Sequence, residues 1–105
     1  MSRSHYLGAL FEPQSIAVVG ASNRVEKVGG RVLENVLAAG FKGRLFAVNP
    51  RHSEVRGVPC FASALDLPEP VELAVVATPA PTVPGIIDAC GRAGVRAAVV
   101  LSAGF

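Results

Sequence analysis

Four short apolar runs limit what this chain can fold into more than any other feature of its sequence. They cover residues 15–19, 44–48, 72–77 and 97–101, and they are rich in Val, Ala and Leu. None of them alternates apolar with polar residues. Such runs are typical of strands that are covered on both faces, as in a parallel sheet. The runs therefore predict an α/β fold.

Helical periodicity occupies two of the intervals between these runs. Val32, Leu33, Val36 and Leu37 predict one apolar helix face, and Gly40 follows where a left-handed cap belongs.

A second helix is predicted from about Val83 to Ala93. Its inward residues are predicted to be Ile86, Ile87 and Cys90, and Gly94 closes it.

Strand–helix–strand repeats require right-handed crossovers, which give a doubly wound, mainly parallel sheet with helices on both faces. Val58–Phe61 predicts a short edge strand, and a turn of helix follows at Ala62–Leu65. The predicted order is this edge strand, then the second, first, third and fourth main strands. We expect residues 1–105 to form one domain. Because the sequence stops directly after a strand, we also expect that domain to be the N-terminal fragment of a larger protein.

Composition excludes several classes of protein. Of the 105 residues, 50% are apolar and 17% are charged, which excludes a disordered chain. A net charge of +2 is too small to indicate a nucleic-acid partner, and no run is long enough to span a membrane. Cys60 and Cys90 stand among apolar residues and are predicted to be buried thiols. The composition indicates a soluble cytoplasmic domain.

Ligands of open α/β sheets bind at the carboxyl ends of the strands, where the strand order reverses. After the first strand, Gly20 begins a small-residue turn that leads to a helix, and Gly29 and Gly30 permit close backbone approach. The N–H groups of a helix start attract anions, and Arg24 and Lys27 add positive charge. This loop predicts a phosphate site, with a plain tight turn as the alternative.

The loop after the second strand limits which nucleotide cofactors the sequence favours. The spacing G-x-G-x-x-G is absent, and Asn49, Pro50 and Arg51 stand where a dehydrogenase carries an acidic residue. A neutral residue followed by a cation suits an adenosine whose ribose carries a phosphate. Both coenzyme A (CoA) and NADP meet that description, and a solvated surface loop remains the alternative for Arg51.

The remaining loops carry little chemistry. Thr78, Pro79 and Ala80 form a small, rigid turn that could flank an extended chain such as pantetheine, or serve as a plain connector. Ser102 and Gly104 follow the last strand, and no His or Asp is marked as a partner for the serine. The loops offer no metal site and no acid–base pair, so no residue is predicted to be catalytic.

The chain resembles a known family in four motifs that occur in the same order. They are residues 11–22, Val48–Pro50, Ala77–Ala80 and residues 102–105. Together they resemble the N-terminal CoA-binding domain of NDP-forming acyl-CoA synthetases, which is related to the succinyl-CoA synthetase α subunit. The same domain opens multidomain protein acetyltransferases. The resemblance implies a Rossmann-like domain that holds CoA or acyl-CoA.

The resemblance also assigns roles to individual residues. It implies phosphate contacts by the loop after the first strand, adenosine contacts by the loop after the second, and pantetheine contacts by the last two loops. ATP or ADP would be handled only by further domains of the parent chain, so this piece would bind without catalysing a reaction. The residues so assigned are Gly20, Ala21, Ser22, Asn23, Arg24, Lys27, Gly29, Val48, Asn49, Pro50, Arg51, Thr78, Pro79, Ala80, Ser102 and Gly104.

Two further functions stay open on the sequence alone: a fragment of an NADP-binding oxidoreductase, and a non-catalytic regulatory domain that senses CoA. The expected partners are a CoA thioester and downstream domains of the same chain, and a homo-oligomer is left open. Neither the acyl group nor the choice between a synthetase and an acetyltransferase follows from the sequence.

Overall fold

The computed structural model describes residues 12–24 and 27–101. Within this part of the chain, six strands form one sheet. They are β1 (Ser15–Val19), β2 (Arg44–Val48), β3 (Glu54–Val55), β4 (Val58–Phe61), β5 (Leu73–Val76) and β6 (Ala97–Val100). Their order in the sheet is β3-β4-β2-β1-β5-β6, and all neighbouring strands are parallel except β3 and β4. The doubly wound, mainly parallel sheet predicted from the sequence is therefore confirmed.

The carboxyl ends of the parallel strands lie level with one another. Val19 of β1 pairs with Val48 of β2 on one side and with Val76 of β5 on the other. The N–H of Gly20 donates to the carbonyl oxygen of Val48 (2.9 Å), and the N–H of Ala77 donates to that of Val19 (2.8 Å). The loops after β1, β2 and β5 therefore leave the sheet at the same edge.

Helix α1 (Val28–Ala38) covers one face of the sheet. Its Leu33 is fully buried against Ile16 and Val18 of β1, and Val32 packs at the margin of the same cluster.

Helix α2 (Val83–Arg92) covers the opposite face. Its Ile86 packs against Ala17 and Val19 of β1, and its Cys90 is buried against Ala74 of β5. Successive residues of β1 point to opposite faces and both faces are covered, which explains why the run is continuously apolar.

Two helix residues predicted to face inward are exposed instead. Leu37 of α1 is 43% exposed and Ile87 of α2 is 39% exposed, so the prediction for these two side chains was wrong. Each follows a core-facing residue (Val36 or Ile86) by one position, which is a rotation of about 100° around the helix. Each face of the sheet is covered by one helix at these positions, so no further element among the described residues covers the side of the helix that faces away from the sheet. The rotation therefore turns each of the two side chains toward solvent.

Both predicted helix ends are confirmed at their glycines. Gly40 has φ +73° after α1, and Gly94 has φ +83° after α2. In each case the glycine N–H donates to a carbonyl oxygen of the last helical turn (Leu37 or Gly91), and the following N–H also donates back into the helix. This pattern satisfies carbonyl groups that a helix end leaves without partners.

One strand was not predicted. Glu54–Val55 forms β3, which pairs antiparallel with β4 through a tight turn at Arg56 and Gly57, both with positive φ. A two-residue strand is too short to produce a recognisable hydrophobic pattern. Because β3 lies outside β4, the prediction that Val58–Phe61 forms the edge strand was wrong, while the predicted order of the other strands is confirmed. The predicted turn of helix after β4 is present as one 3-10 turn, shifted to Ala64–Asp66.

Candidate functional site

A groove of about 700 Å³ lies across the carboxyl ends of β1, β2 and β5, at the edge where the sequence predicts the site. It is open to solvent and is bordered by the start of α1, the first two turns of α2 and the segment that follows β4. Its lining residues are Val19, Gly20, Lys27, Val48, Asn49, Pro50, Arg51, Ala62, Ser63, Ala64, Ala77, Thr78, Pro79, Thr82, Gly85, Ile86 and Ala89.

At the end of β1, Gly20 lets the chain turn beneath the groove. Its φ is +90°, a conformation that side-chain-bearing residues rarely adopt. A Cβ atom at this position would lie 2.7 Å from the carbonyl oxygen of Ala77 and 2.8 Å from Cγ2 of Thr78. The ends of β1 and β5 therefore approach each other closely, and only glycine fits between them.

Helix α1 begins beside this turn. Lys27 occupies the cap position, and no side chain among the described residues caps the helix start. The first N–H groups of a helix have no partner within the helix, and they carry the positive end of its dipole. Lys27 itself is exposed and lines the groove. The arrangement is suited to an anion.

Gly29 and Gly30 allow the close backbone approach that the sequence predicts for them, and the neighbour that they approach is the loop after β1. Both are buried within the first turn of α1, so the helix starts before them rather than after. A Cβ atom at Gly29 would collide with the carbonyl group of Gly20, and one at Gly30 with the carbonyl group of Arg24. These glycines allow α1 to pack tightly against the loop after β1. Gly29 does not line the groove.

At the end of β2, Asn49 organises the loop. Its side-chain amide donates to the carbonyl oxygen of Ala21 (2.9 Å), and its Oδ1 accepts from the N–H of Arg51 (2.9 Å). Pro50 and Arg51 are exposed at the rim of the groove. Asn49 therefore connects the loops after β1 and β2, while its two neighbours face the open space.

At the end of β5, a short network closes the other side of the groove. The hydroxyl groups of Thr78 and Thr82 are hydrogen-bonded at 2.8 Å, and the Thr82 hydroxyl donates to the carbonyl oxygen of Pro79 (2.6 Å). The turn is thereby fixed before α2 begins at Val83.

The structure brings half of the predicted site residues together. Eight of the sixteen line the groove: Gly20, Lys27, Val48, Asn49, Pro50, Arg51, Thr78 and Pro79. Ser102 and Gly104 lie outside the described residues. The other six are described and lie off the groove lining: Ala21, Ser22, Asn23, Arg24, Gly29 and Ala80.

Part of the loop after β1 is engaged in local structure instead. Ala21 is fully buried, and Oγ of Ser22 accepts from the N–H of Arg24 (3.0 Å). Oδ1 of Asn23 accepts from the N–H of Arg56 (3.0 Å) and so ties this loop to the β3–β4 hairpin. In this structure these side-chain groups fix the loop and do not reach the groove.

One wall of the groove was missed by the sequence analysis. It consists of Ala62–Ala64, which follow β4, and of Gly85 and Ala89, which face them from α2. Because β4 runs parallel to β2, its carboxyl end lies at the same edge as the other strand ends. The sequence does contain a signal for this wall. Gly85 and Ala89 are small residues four positions apart on the predicted helix, and the small residues Ala62–Ala64 follow a predicted strand.

The groove is positively charged along its described lining. Lys27 and Arg51 are its only charged residues there, and the lining includes no Asp, Glu, His or Cys. The two cysteines are buried elsewhere and unpaired, and burial raises the pKa of both thiols. At Cys60, hydrogen bonds with the backbone of Asn49 and Phe61 oppose that shift. The groove therefore offers cations and backbone donors to a ligand.

The fold and this groove define an α/β domain with a positively charged groove at its strand ends. Residues 14–105 match the family described as "CoA binding domain". Because the match covers most of the chain, the chain belongs to that family, and the resemblance seen in its sequence is confirmed.

The curated relatives are larger proteins. The ADP-forming acetate–CoA ligase I of Archaeoglobus fulgidus is 46% identical over 96 residues, which are 91% of this chain and 14% of the ligase. The α subunit of the ADP-forming acetate–CoA ligase I of Pyrococcus furiosus is 36% identical over 103 residues, with 94% of this chain and 22% of the subunit covered. The chain thus spans less than a quarter of either relative.

Solved structures agree with the fold. The dinucleotide-forming acetyl-coenzyme A synthetase 1 of Ca. Korarchaeum cryptofilum, in complex with phosphate and ADP, matches with a TM-score of 0.90 and 45% identity. That match covers 94% of this chain and 21% of the synthetase chain. A conserved hypothetical protein from Pyrococcus furiosus matches with a TM-score of 0.78 and 28% identity, over 88% of this chain and 78% of its own. Within the described residues, no helix is long and apolar enough to cross a bilayer.

Proposed function

We propose that this chain binds CoA or an acyl-CoA in the groove, as the CoA-binding module of an ADP-forming acyl-CoA synthetase. The observation that carries the proposal is the groove itself. It joins three strand ends, an uncapped helix start and two cations in one place. Membership of the CoA-binding domain family and the ligase relatives support the same ligand.

The diphosphate of CoA is proposed to lie where Gly20 and Lys27 line the groove, beside the rest of the loop of residues 20–24, which we call the phosphate loop. The α1 start and Lys27 lie beside this loop, and Gly20 keeps side-chain atoms out of the space beneath the ligand. Hydrogen bonds between a charged group and a backbone N–H contribute about 1.5–3 kcal/mol each, more than the ~0.3–1 kcal/mol from a helix dipole. Hydrogen bonds from the backbone are therefore expected to contribute more to diphosphate binding than the helix dipole does.

The adenosine is proposed to lie against residues 49–51, which we call the adenosine loop. Pro50 offers a flat apolar edge to the base, and Arg51 offers a guanidinium group to the 3′-phosphate. An acidic residue here would repel that phosphate, and none lines the described part of the groove.

The pantetheine arm is proposed to pass the turn at Thr78 and Pro79 and to continue toward the end of β6. The contacts that the sequence predicts for Ser102 and Gly104 remain predictions. The groove volume of about 700 Å³ falls within the range of about 300–1,000 Å³ that small-molecule sites occupy.

We propose further that this module binds CoA and leaves the chemistry to other domains or subunits. The described lining residues include no carboxylate, imidazole or thiol side chain, and their polar side-chain groups are the Lys27 amine, the Arg51 guanidinium, the Asn49 amide and hydroxyl groups. The relatives are ligases of which this chain matches only a part. In this proposal the nucleotide is handled outside this module.

Isothermal titration calorimetry with CoA, dephospho-CoA and NADP tests the proposed ligand. The proposal predicts one CoA per chain, weaker binding of dephospho-CoA, and weaker binding of NADP than of CoA. No heat of binding with millimolar CoA would contradict it. NADP binding that is tighter than CoA binding would favour the oxidoreductase alternative.

Replacing Arg51 with alanine is expected to weaken CoA binding about fivefold and to leave dephospho-CoA binding unchanged. The guanidinium is exposed at the rim, so its ion pair with the 3′-phosphate contributes about 1 kcal/mol rather than the larger energy of a buried pair. Calorimetry on both ligands measures the difference.

Arg92→Ala is the matched control, since it removes an equal charge from an exposed position of α2 outside the groove. Equal losses in Arg51→Ala and Arg92→Ala would show a general charge effect. Equal weakening of CoA and dephospho-CoA by Arg51→Ala would contradict the pairing with the 3′-phosphate.

A further inference from the structure

The side chain of Asn49 joins two of the loops that line the groove. Its amide nitrogen donates a hydrogen bond to the carbonyl oxygen of Ala21 in the phosphate loop (2.9 Å). Its Oδ1 accepts a hydrogen bond from the N–H of Arg51 in the adenosine loop (2.9 Å). One half-buried side chain therefore shapes its own loop and fixes the separation between that loop and the next.

The backbone of Asn49 is itself held firmly by the sheet. Its N–H donates to the carbonyl oxygen of Phe61 at the end of β4 (2.9 Å). Its carbonyl oxygen accepts from the N–H of His52 (3.3 Å) and lies 3.5 Å from the buried thiol of Cys60, which donates to it. The Asn49 side chain thus extends from a backbone that the sheet holds in place. Its two hydrogen bonds therefore fix the positions of both loops relative to the sheet.

We infer that Asn49 is a positioning residue that sets the spacing between the phosphate loop and the adenosine loop. This inference rests on the proposed function, and it differs from the direct adenosine contact that the sequence predicts for this side chain. A ligand that spans both loops gains from having them correctly spaced before it binds. A fragment held by one loop gains nothing from that spacing. The consequence is measurable because CoA can be divided chemically at its diphosphate.

The test compares intact CoA with two of its parts in the wild-type chain and in Asn49→Ala. The parts are adenosine 3′-phosphate, which reaches the adenosine loop alone, and 4′-phosphopantetheine, which reaches the phosphate loop and the turn after β5. Dissociation constants are measured by NMR titration below the unfolding temperature of the variant. We expect the CoA constant to rise about tenfold, and that of each part by less than about threefold.

A second variant keeps the test valid if Asn49→Ala folds poorly. Asn49→Ser retains a hydroxyl group that can make one of the two hydrogen bonds at a time, so its CoA affinity is expected to lie between those of wild type and Asn49→Ala. Thermal unfolding of both variants shows at which temperature the titrations compare folded proteins.

Three results would overturn the inference while leaving the proposed function intact. They are an unchanged CoA constant in both variants, an equal loss for CoA and both parts, and a loss for adenosine 3′-phosphate as large as that for CoA. The second would indicate general damage to the fold, and the third a direct contact. Failure of the wild-type chain to bind CoA would overturn the proposed function, and this inference with it.

Discussion

Replacing Gly85 with leucine is expected to abolish CoA binding while leaving the chain folded. Gly85 lies in the first turn of α2 and lines the groove opposite Ala62–Ala64. A Cβ atom there would meet no described atom within 4 Å, so a larger side chain enters open space rather than the core. We expect CoA affinity to fall at least about 100-fold, a loss of about 2.8 kcal/mol. Calorimetry measures it.

The same helix supplies a matched control. Gly91 is also exposed, also has open space around its Cβ position, and lies outside the groove lining. Leucine is a better helix former than glycine by up to about 1 kcal/mol, so both variants are expected to be at least as stable as wild type. Gly91→Leu is expected to bind CoA normally. Normal binding by Gly85→Leu would show that the ligand does not occupy this part of the groove.

Replacing Gly20 with alanine is expected to destabilise the whole domain by about 3 kcal/mol. The residue has φ +90°, which costs a residue with a side chain about 1–2 kcal/mol. The added Cβ would also lie 2.7 Å from the carbonyl oxygen of Ala77, and such crowding in a well-packed site costs about 1–3 kcal/mol. Urea unfolding followed by circular dichroism measures the change. Gly20→Val is expected to weaken ligand binding mainly because it destabilises the fold.

Gly40 separates the two causes. It has φ +73°, yet a Cβ atom there would meet no described atom within 4 Å. Gly40→Ala is therefore expected to lower the free energy of unfolding only by the cost of the positive φ, about 1 kcal/mol. If Gly20→Ala and Gly40→Ala lose the same stability, the contact between the ends of β1 and β5 is looser than the structure shows.

The sequence predicts the architecture well because the relevant signals are local. The continuous apolar runs predict strands covered on both faces, which holds for β1, whereas alternate residues of β6 are exposed. The glycines at 40 and 94 end the two helices with positive φ. The connection rules then leave few arrangements of the strands. Among the described strands, Glu54–Val55 was not predicted, because a strand of two residues has no recognisable hydrophobic pattern.

The sequence predicts the edge of the sheet at which the groove lies, but not which polar side chains face the groove. Strand ends follow from topology, so Gly20, Asn49 and Thr78 were expected there and line the groove. Whether a polar side chain faces the ligand or the protein depends on tertiary hydrogen bonds. Asn23 and Asn49 illustrate this, since both bond to backbone groups at least 28 positions away. No local pattern contains that information.

We expect CoA to occupy the groove at the strand ends, and a crystal structure of the chain with CoA would show its position. The diphosphate is expected within hydrogen-bonding distance of the first N–H groups of α1, and the adenosine beside Pro50 and Arg51. CoA bound on another surface, with this groove empty, would contradict it.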